Sequence, residues 1–332
     1  MSQKFNALVV EQTKDGSFNR NIKERSVEEL PKNEVLIKVH YSALNYKDAL
    51  SATGNQGVTK NYPHTPGIDA SGVVAESSNP RFSTGDSVLV TGYDLGMNTS
   101  GGFGEYIRVP ADWIVPLPQG LTLRQSMMIG TAGFTAAYGV YQIIENSIDS
   151  SHENKALVTG ATGGVGSLAI SLLALNNYEV IAATGKMNRK EYLQQIGAAE
   201  VIHRDNVYGS SDKSLLSRRW NASLETVGGK MLDAVIRQTS QNGTVACCGN
   251  ILGGELHTSV YPFILRGVNL MGINSATCPP VIREKLWKLL AEEWKPDSLE
   301  TICRKCNLEE LNKEIDKILE GGQVGKVLVV HQ

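Results

Sequence analysis

The chain has 332 residues, 41% hydrophobic and 20% charged, enough apolar material for one oversized or two ordinary globular domains. Its formal charge of −2 provides no basic field for nucleic acid or anionic lipid. No run of about 18 apolar residues offers a membrane span, MSQKFNALVVEQTKDG has too short an apolar run for a secretory leader, and neither end carries a lipidation motif. A cytoplasmic protein without membrane or nucleic-acid partners is expected.

From residue 1 to 124, short β-type runs are separated by Gly, Pro, Asn and Asp: ALVVEQ, EVLIKVHYSAL, GVVAES, DSVLVTG, GEYIRVP and WIVPLP. That spacing predicts an all-β or barrel-like domain. From 125 to 296 strands alternate with helices. ALVTG precedes the helix SLAISLLALNN, EVIAATG precedes the helix MNRKEYLQQIG, and AEVIHR is the third strand. ASLETVGG, the helix KMLDAVIRQT, GTVACCGN and NLMGINS continue the series. Such alternation predicts a doubly wound parallel sheet. A helix in LEELNKEIDKILEGG and a strand in GKVLVVH follow, the last implying a return to the first domain. Cys247, Cys248, Cys278, Cys303 and Cys306 are an odd set in the last third, which is no disulfide framework. Cys303 and Cys306 form a C-x-x-C without the further ligands zinc needs, and read as reduced thiols near a helix start.

Between ALVTG and its helix lies Gly160-Ala161-Thr162-Gly163-Gly164-Val165-Gly166. Glycine lets the backbone bend tightly and approach a pyrophosphate, and the following helix aims N–H groups and its positive end at it. The spacing departs from strict G-x-G-x-x-G, yet a strand before and a helix after are the context a dinucleotide cradle requires. Thr162, Gly163, Gly164, Val165 and Gly166 are therefore cofactor candidates. NAD enzymes commonly place Asp or Glu about 20 residues beyond this turn, on the ribose 2′-hydroxyl. Here the second strand ends in Thr184-Gly185-Lys186, and no carboxylate appears until Glu191. A 2′-phosphate is repelled by an acid and stabilised by a hydroxyl, backbone donors and a cation, so Thr184, Gly185 and Lys186 predict NADP(H). The alternative is that Lys186 and Arg189 are a solvated helix start. Arg204, after the third strand, stands where it could flank the adenine.

PHTPGIDASGVV (63–74), GDSVLVTG (85–92), GGFGEYIRVP (101–110), GTAGFTAAYGV (130–140) and ATGGVG resemble, in that order, the medium-chain dehydrogenase/reductase superfamily. LNYKDAL (44–50), NPRF (79–82) and YPFILRGV (261–268) narrow the resemblance to the YhdH/AcuI-type quinone oxidoreductases, which include NADPH-dependent acrylyl-CoA reductases. The resemblance implies an α/β fold with a GroES-like β-rich catalytic domain at 1–124, completed by 297–332. A Rossmann doubly wound parallel-sheet domain would occupy 125–296, and a homodimer is implied. Zinc relatives use a Cys in the segment matching SALNYKD and a Gly-His-Glu motif, where this chain has Asn45 and Gly67-Ile68-Asp69. No cysteine precedes Cys247 to build a structural zinc lobe, so no metal is expected.

Hydride chemistry without metal leaves the protein to position and polarise. With an α,β-unsaturated thioester, hydride reaches the β-carbon, charge gathers on the carbonyl oxygen, and the α-carbon takes a proton. By resemblance the NYKD loop lies beside the nicotinamide. That makes Tyr46 the candidate proton donor or oxyanion partner, and Asn45 the residue orienting cofactor or substrate. Tyr46 as a cofactor-packing aromatic without a proton role stays open. Lys47 and Asp48 read as a structural ion pair, His64 as a loop residue and Asp69 as structural. Thr135, Cys248, Gly249, Phe263 and Ile264 (an apolar wall), Asn274 and Ser275 complete the cofactor candidates. Lys326, with Arg108 and Arg266, is a cation that could meet a phosphate. The expected substrate is a short enoyl-CoA such as acrylyl-CoA. A quinone or enone is the runner-up, and a non-catalytic NADPH-binding sensor or structural protein the third reading.

Overall fold

A computed structural model describes residues 3–147, 154–209, 211 and 213–331. Its strands are β1 (Lys4–Gln12), β2 (Phe18–Ser26), β3 (Val35–Leu44), β4 (Asp69–Ser77), β5 (Ser87–Thr91), β6 (Tyr106–Val109), β7 (Ile114–Pro116), β8 (Lys155–Val158), β9 (Glu179–Thr184), β10 (Glu200–His203), β11 (Trp220–Glu225), β12 (Thr239–Cys247), β13 (Asn269–Gly272), β14 (Cys303–Cys306) and β15 (Lys326–Val330). The α-helices are α1 (Tyr46–Ser51), α2 (Leu123–Glu145), α3 (Gly164–Leu175), α4 (Lys190–Gln195), α5 (Gly229–Gln238), α6 (Tyr261–Arg266), α7 (Pro280–Ala291), α8 (Leu299–Ile302) and α9 (Leu311–Leu319).

The chain divides into two compact units: Met1–Thr131 with Ala276–Glu292 and Cys303–Gln332, and Ala132–Ser275 with Glu293–Ile302. The expected boundaries shift accordingly. Residues 125–131 and 276–292 join the first unit, and 297–302 join the second. One cause is a break inside α2, where Gly130 takes φ 49, ψ −160. Another is Arg283 of α7, buried and donating to the carbonyls of Thr91 and Ala276, both in the first unit, at 3.0 Å each.

In the first unit a seven-stranded sheet runs β14-β15-β3-β4-β5-β7, with β6 also paired to β3. All its pairs are antiparallel except β14 with β15. Alternating Val35, Ile37 and Val39 of β3 join Val88 and Val90 of β5 in one core, the period-2 pattern of a half-buried sheet. β1 and β2 form a separate ribbon. β2 (FNRNIKERS) carries no apolar alternation, because it is largely solvent-facing while β1 buries Leu8, Val9 and Val10. A second core gathers Leu44, Ala49 and Ala52 with Leu311 and Ile315 of α9 and Val327 and Val329 of β15, and this seats α1. Cys303 and Cys306 lie on β14 rather than at a helix start. Cys306 is buried in that second core, and the Cys303 thiol donates to the Met128 carbonyl at 3.4 Å.

The second unit holds six parallel strands in the order β10-β9-β8-β11-β12-β13. This is the doubly wound order, with its direction reversing between β8 and β11. β9 reads as an unbroken apolar run because both faces of the sheet are covered. α3 is buried nearly all round, Leu168, Ile170, Leu172 and Leu173 included, each worth about 1.5–3 kcal/mol of burial. Among the described residues, no helix is long and apolar enough to cross a membrane.

Candidate functional site

A parallel sheet brings the carboxyl ends of its strands to one edge, and the reversal between β8 and β11 opens a crevice there. The turn after β8 lines it. Gly160 takes φ 57, and a methyl group at Gly166 would overlap the Gly160 carbonyl oxygen. The first turn of α3 therefore lies directly on the glycine turn. Gly163 caps α3 without a side-chain hydrogen bond, and Gly163, Gly164 and Val165 are half-exposed. The Gly163 N–H is spent on the Gly160 carbonyl at 2.9 Å, while those of Gly164 and Val165 are donors of a helix start and form a ready anion site.

The opposite wall is built by residues that the glycine pattern does not disclose. Glu225, fully buried at the end of β11, accepts from Val227 N (2.8 Å), Gly228 N (2.9 Å) and Thr159 Oγ1 (3.0 Å). Burial raises its pKa above the usual carboxylate value, and these donors pull it back. The Thr226 hydroxyl donates to the Thr159 carbonyl, and the Thr226 N–H to the Thr159 hydroxyl, each at 2.9 Å. The sequence signal is an acid, Glu225, closing the strand run ASLE.

At the end of β9, the buried Thr184 hydroxyl accepts from Lys186 N at 3.0 Å. The β10–β9 register sets His203 opposite Thr184 and so brings Arg204 to Gly185. A Cβ on Gly185 would stand 3.3 Å from Arg204 Nε. The Thr184 hydroxyl, the exposed Gly185 backbone and the Arg204 guanidinium thus adjoin one spot, with Lys186 next in the chain and Asp205 an acid 4.0 Å from the guanidinium. The donor set fits a pyrophosphate at the start of α3 and a further phosphate between Gly185, Lys186 and Arg204.

Cys248, Gly249, Asn274 and Ser275 follow β12 and β13 at the same edge, and Thr135 joins them through a 2.7 Å hydroxyl contact with Ser275. Cys248 N donates to the Glu225 carbonyl at 3.0 Å. Burial, then the Glu225 carboxylate, pushes the Cys248 thiol up to about 12, so any role here falls to its backbone. Of the expected apolar wall, Phe263 packs against the core of its own unit. Neighbouring positions on α6 point about 100° apart, and Ile264 is left 67% exposed.

The first unit holds a second constellation. Asn45 precedes α1, Tyr46 is its first residue, and the Tyr46 side chain is exposed. Asn45 Nδ2 donates to Asp69 Oδ2 at 2.8 Å, and Asn45 Oδ1 accepts from Lys326 Nζ at 3.1 Å. Lys326 is 1% exposed, with Nζ 3.6 Å from Asp69 Oδ2. Asp69 also accepts from Thr131 N (2.9 Å) and Thr131 Oγ1 (2.6 Å). Asp48 accepts from Asn45 N (2.7 Å) and Ile68 N (2.8 Å). Burial, then the Asp69 carboxylate, raises the Asp48 pKa to about 7.

Several expectations are corrected here. Asp48 forms no ion pair with Lys47; it ties Asn45 to the start of β4. Lys326 is no phosphate contact, since the β15–β3 register buries it at the end of β3. Arg108 pairs with Glu76 at 3.0 Å, and Arg266 donates to the carbonyls of Leu216, Arg237 and Thr239. His64 is buried, and burial lowers its pKa. Thr131 carries no sequence signal of its role.

Residues 31–119 match the family described as alcohol dehydrogenase GroES-like domain, and residues 164–292 the family described as zinc-binding dehydrogenase. The chain is 44% identical to YhfP of Bacillus subtilis, provisionally named a quinone oxidoreductase, over 99% of both chains. A crystal structure of YhfP with NAD bound matches with a TM-score of 0.95 at 43% identity, covering 99% of this chain and 100% of that one. Acrylyl-CoA reductase AcuI of Ruegeria pomeroyi is 40% identical over 98% of each chain. The YhdH oxidoreductase of Salmonella enterica, crystallised with NADP, matches with a TM-score of 0.94 at 39% identity, over 98% of this chain and 100% of that one. The zinc of the second family's description does not fit these residues. Among the described residues, no group of three His, Cys, Asp or Glu side chains could hold a metal. Asn45 and Asp69, at the expected ligand positions, are bonded to each other and share a lysine ammonium.

Proposed function

The chain belongs to the medium-chain dehydrogenase/reductase superfamily, among the YhdH/AcuI-type oxidoreductases, and on that premise we propose an NADPH-dependent, metal-independent reductase of activated C=C bonds. Its proposed substrate is a short enoyl-CoA such as acrylyl-CoA. The observation that carries the cofactor choice is the turn Thr184-Gly185-Lys186 with Arg204 laid over Gly185. The 40% identity to an acrylyl-CoA reductase supports the substrate class. A small quinone is the second reading, favoured by the likeness to YhfP.

The bound nicotinamide supplies the hydride. The glycine turn and the first N–H groups of α3 hold the pyrophosphate, and Thr184, Gly185, Lys186 and Arg204 hold the 2′-phosphate. Tyr46, with an exposed phenol, donates a proton or a hydrogen bond to the reacting thioester. Asn45 has both ends of its carboxamide engaged within the chain, so it holds the turn that carries Tyr46. The active form is a homodimer. β13 is an edge strand, and the chain just before it exposes Ile251, Leu252, Val260, Tyr261, Ile264 and Leu265. All five cysteines are free, which suits a reducing cytoplasm.

The test follows nucleotide absorbance with NADPH and acrylyl-CoA, crotonyl-CoA or a small quinone, and with NADP+ and alcohols. The expected result is turnover of acrylyl-CoA with a kcat/KM above that of the quinone. Turnover with alcohols alone, or none despite tight NADPH binding, overturns the reading. Tyr46→Phe should lower kcat on the thioester by about 100-fold. An unchanged kcat would leave the ring as packing.

A further inference from the structure

We propose that Lys326 is a positioning residue: acting through Asn45, its buried ammonium fixes the first turn of α1 and so the aim of Tyr46. This rests on the reading of Tyr46 as the group that serves the substrate.

The sheet register produces the juxtaposition. β15 and β4 both run antiparallel to β3, with Val327 opposite Leu44 and Ala70 opposite Ser42. Lys326 and Asp69, the first residues of their strands, therefore meet at the end of β3, where Asn45 follows. Gly130 makes room for them, since a Cβ there would stand 2.5 Å from Asp69 Oδ2 and 3.1 Å from Lys326 Nζ.

The distances show which contact the ammonium serves. Lys326 Nζ is 3.1 Å from the Asn45 carboxamide oxygen and 3.6 Å from the Asp69 carboxylate. Asp69 is more closely engaged by neutral donors, Thr131 and Asn45, than by the lysine. An amide between a cation and a carboxylate has one acceptable orientation. Its oxygen faces the ammonium and its nitrogen the carboxylate, and a flip would set like against like at both ends. Neither Asp69 nor Lys326 alone imposes that lock at both ends.

Asn45 passes the orientation on. Its N–H donates to Asp48 Oδ2 at 2.7 Å, and its carbonyl accepts from Asp48 N (3.1 Å) and Ala49 N (3.3 Å). Tyr46 and Lys47 lie between these anchors, and Tyr46 follows Asn45 directly. Stability alone is a weak reason to bury such a pair, because apolar replacements of buried ion pairs are often neutral or stabilising. Fixing a side chain's direction is a stronger one.

The test places 3-fluorotyrosine at position 46 in the full chain and records its fluorine spectrum without nucleotide. One sharp line is expected for the parent protein, and a shifted or split line for Lys326→Met. A control label at Tyr178, in the second unit, should not change. In turnover assays Lys326→Met should lower kcat at least tenfold while the NADPH dissociation constant stays within twofold. That loss should vanish in a Tyr46→Phe background, since residues acting through one group are non-additive. An unmoved fluorine line, or losses that multiply in the double variant, overturns the proposal. If Lys326→Met fails to fold because Asp69 is left unpaired, Lys326→Met/Asp69→Asn keeps the site neutral, and the same non-additivity and the same fluorine change are expected. Parent enzyme without NADPH-dependent turnover would sink the functional reading. The fluorine line judges the positioning independently.

Discussion

Gly160, Gly163 and Gly166 of the second unit work by what they lack, whereas Asn45, Asp69, Thr131 and Lys326 of the first work by the polar atoms they carry. The glycine turn is continuous in sequence and built of backbone, and a single methyl at Gly166 would fill it. The first-unit cluster draws on four separate segments, with Asn45 and Lys326 281 positions apart, and each polar atom has a named partner. The difference predicts different failures. A backbone site fails through added volume, and a side-chain network fails through one lost donor or acceptor.

The sharpest way to break this contrast is Gly166→Ala. Overlap with the Gly160 carbonyl, at about 3 kcal/mol, should weaken NADPH and NADH alike by roughly 100-fold in fluorescence titrations. Affinities within twofold of the parent would remove the turn from the nucleotide site. Gly130→Ala asks the converse question. Its φ of 49 with ψ −160 disfavours any side chain, and its Cβ would press on Asp69. A loss of about 1–3 kcal/mol in denaturant unfolding is expected, with NADPH affinity little changed. If the two variants weakened nucleotide equally, the sites would not be separable.

A smaller effect is expected from Lys186→Glu. NADPH affinity should fall by roughly 30-fold, the worth of one charge-assisted hydrogen bond, with NADH nearly unaffected. Equal losses for both nucleotides would withdraw the 2′-phosphate assignment.

The smallest effect concerns pH. Folding raises Asp48 from its ordinary 3.8 to about 7, so the folded state holds a proton that the unfolded chain has released. Its contribution therefore falls as pH rises through that window. His331 has the opposite sign. Burial lowers it from 6.5 to about 4, so its contribution is present above 6.5 and lost as pH falls toward 4. Asp48→Asn removes the first slope and leaves the second, so Tm should climb more steeply with pH between 4 and 6.5 than in the parent. Parallel curves would show that Asp48 titrates alike folded and unfolded.

The same contrast decides what could be read from residues alone. β8, β9 and the glycine turn announce themselves because apolar runs and glycine spacing are local patterns, and the absence of an acid after β9 is local too. β2 escaped because an exposed ribbon strand needs no apolar period. Lys326 reads in the sequence as a cation that could meet a phosphate, and only the pairing of Val327 with Leu44 discloses that it meets Asn45. Thr131 acts through the bend at Gly130, which no neighbouring residue type signals.

That long separation also has a consequence in time. A ribosome adding about 5–20 residues per second needs roughly 15–60 s to travel from Asn45 to Lys326. Over that interval β3 waits for its β15 neighbour, and Asp69 waits for its ammonium. The stretch from Ala132 to Ser275, nearly all of the second unit, is made during the wait. A nascent chain stalled before residue 326 would carry a largely complete parallel sheet and an unfinished antiparallel one. Biosynthesis thus reserves the closing of the first unit for one of its last strands.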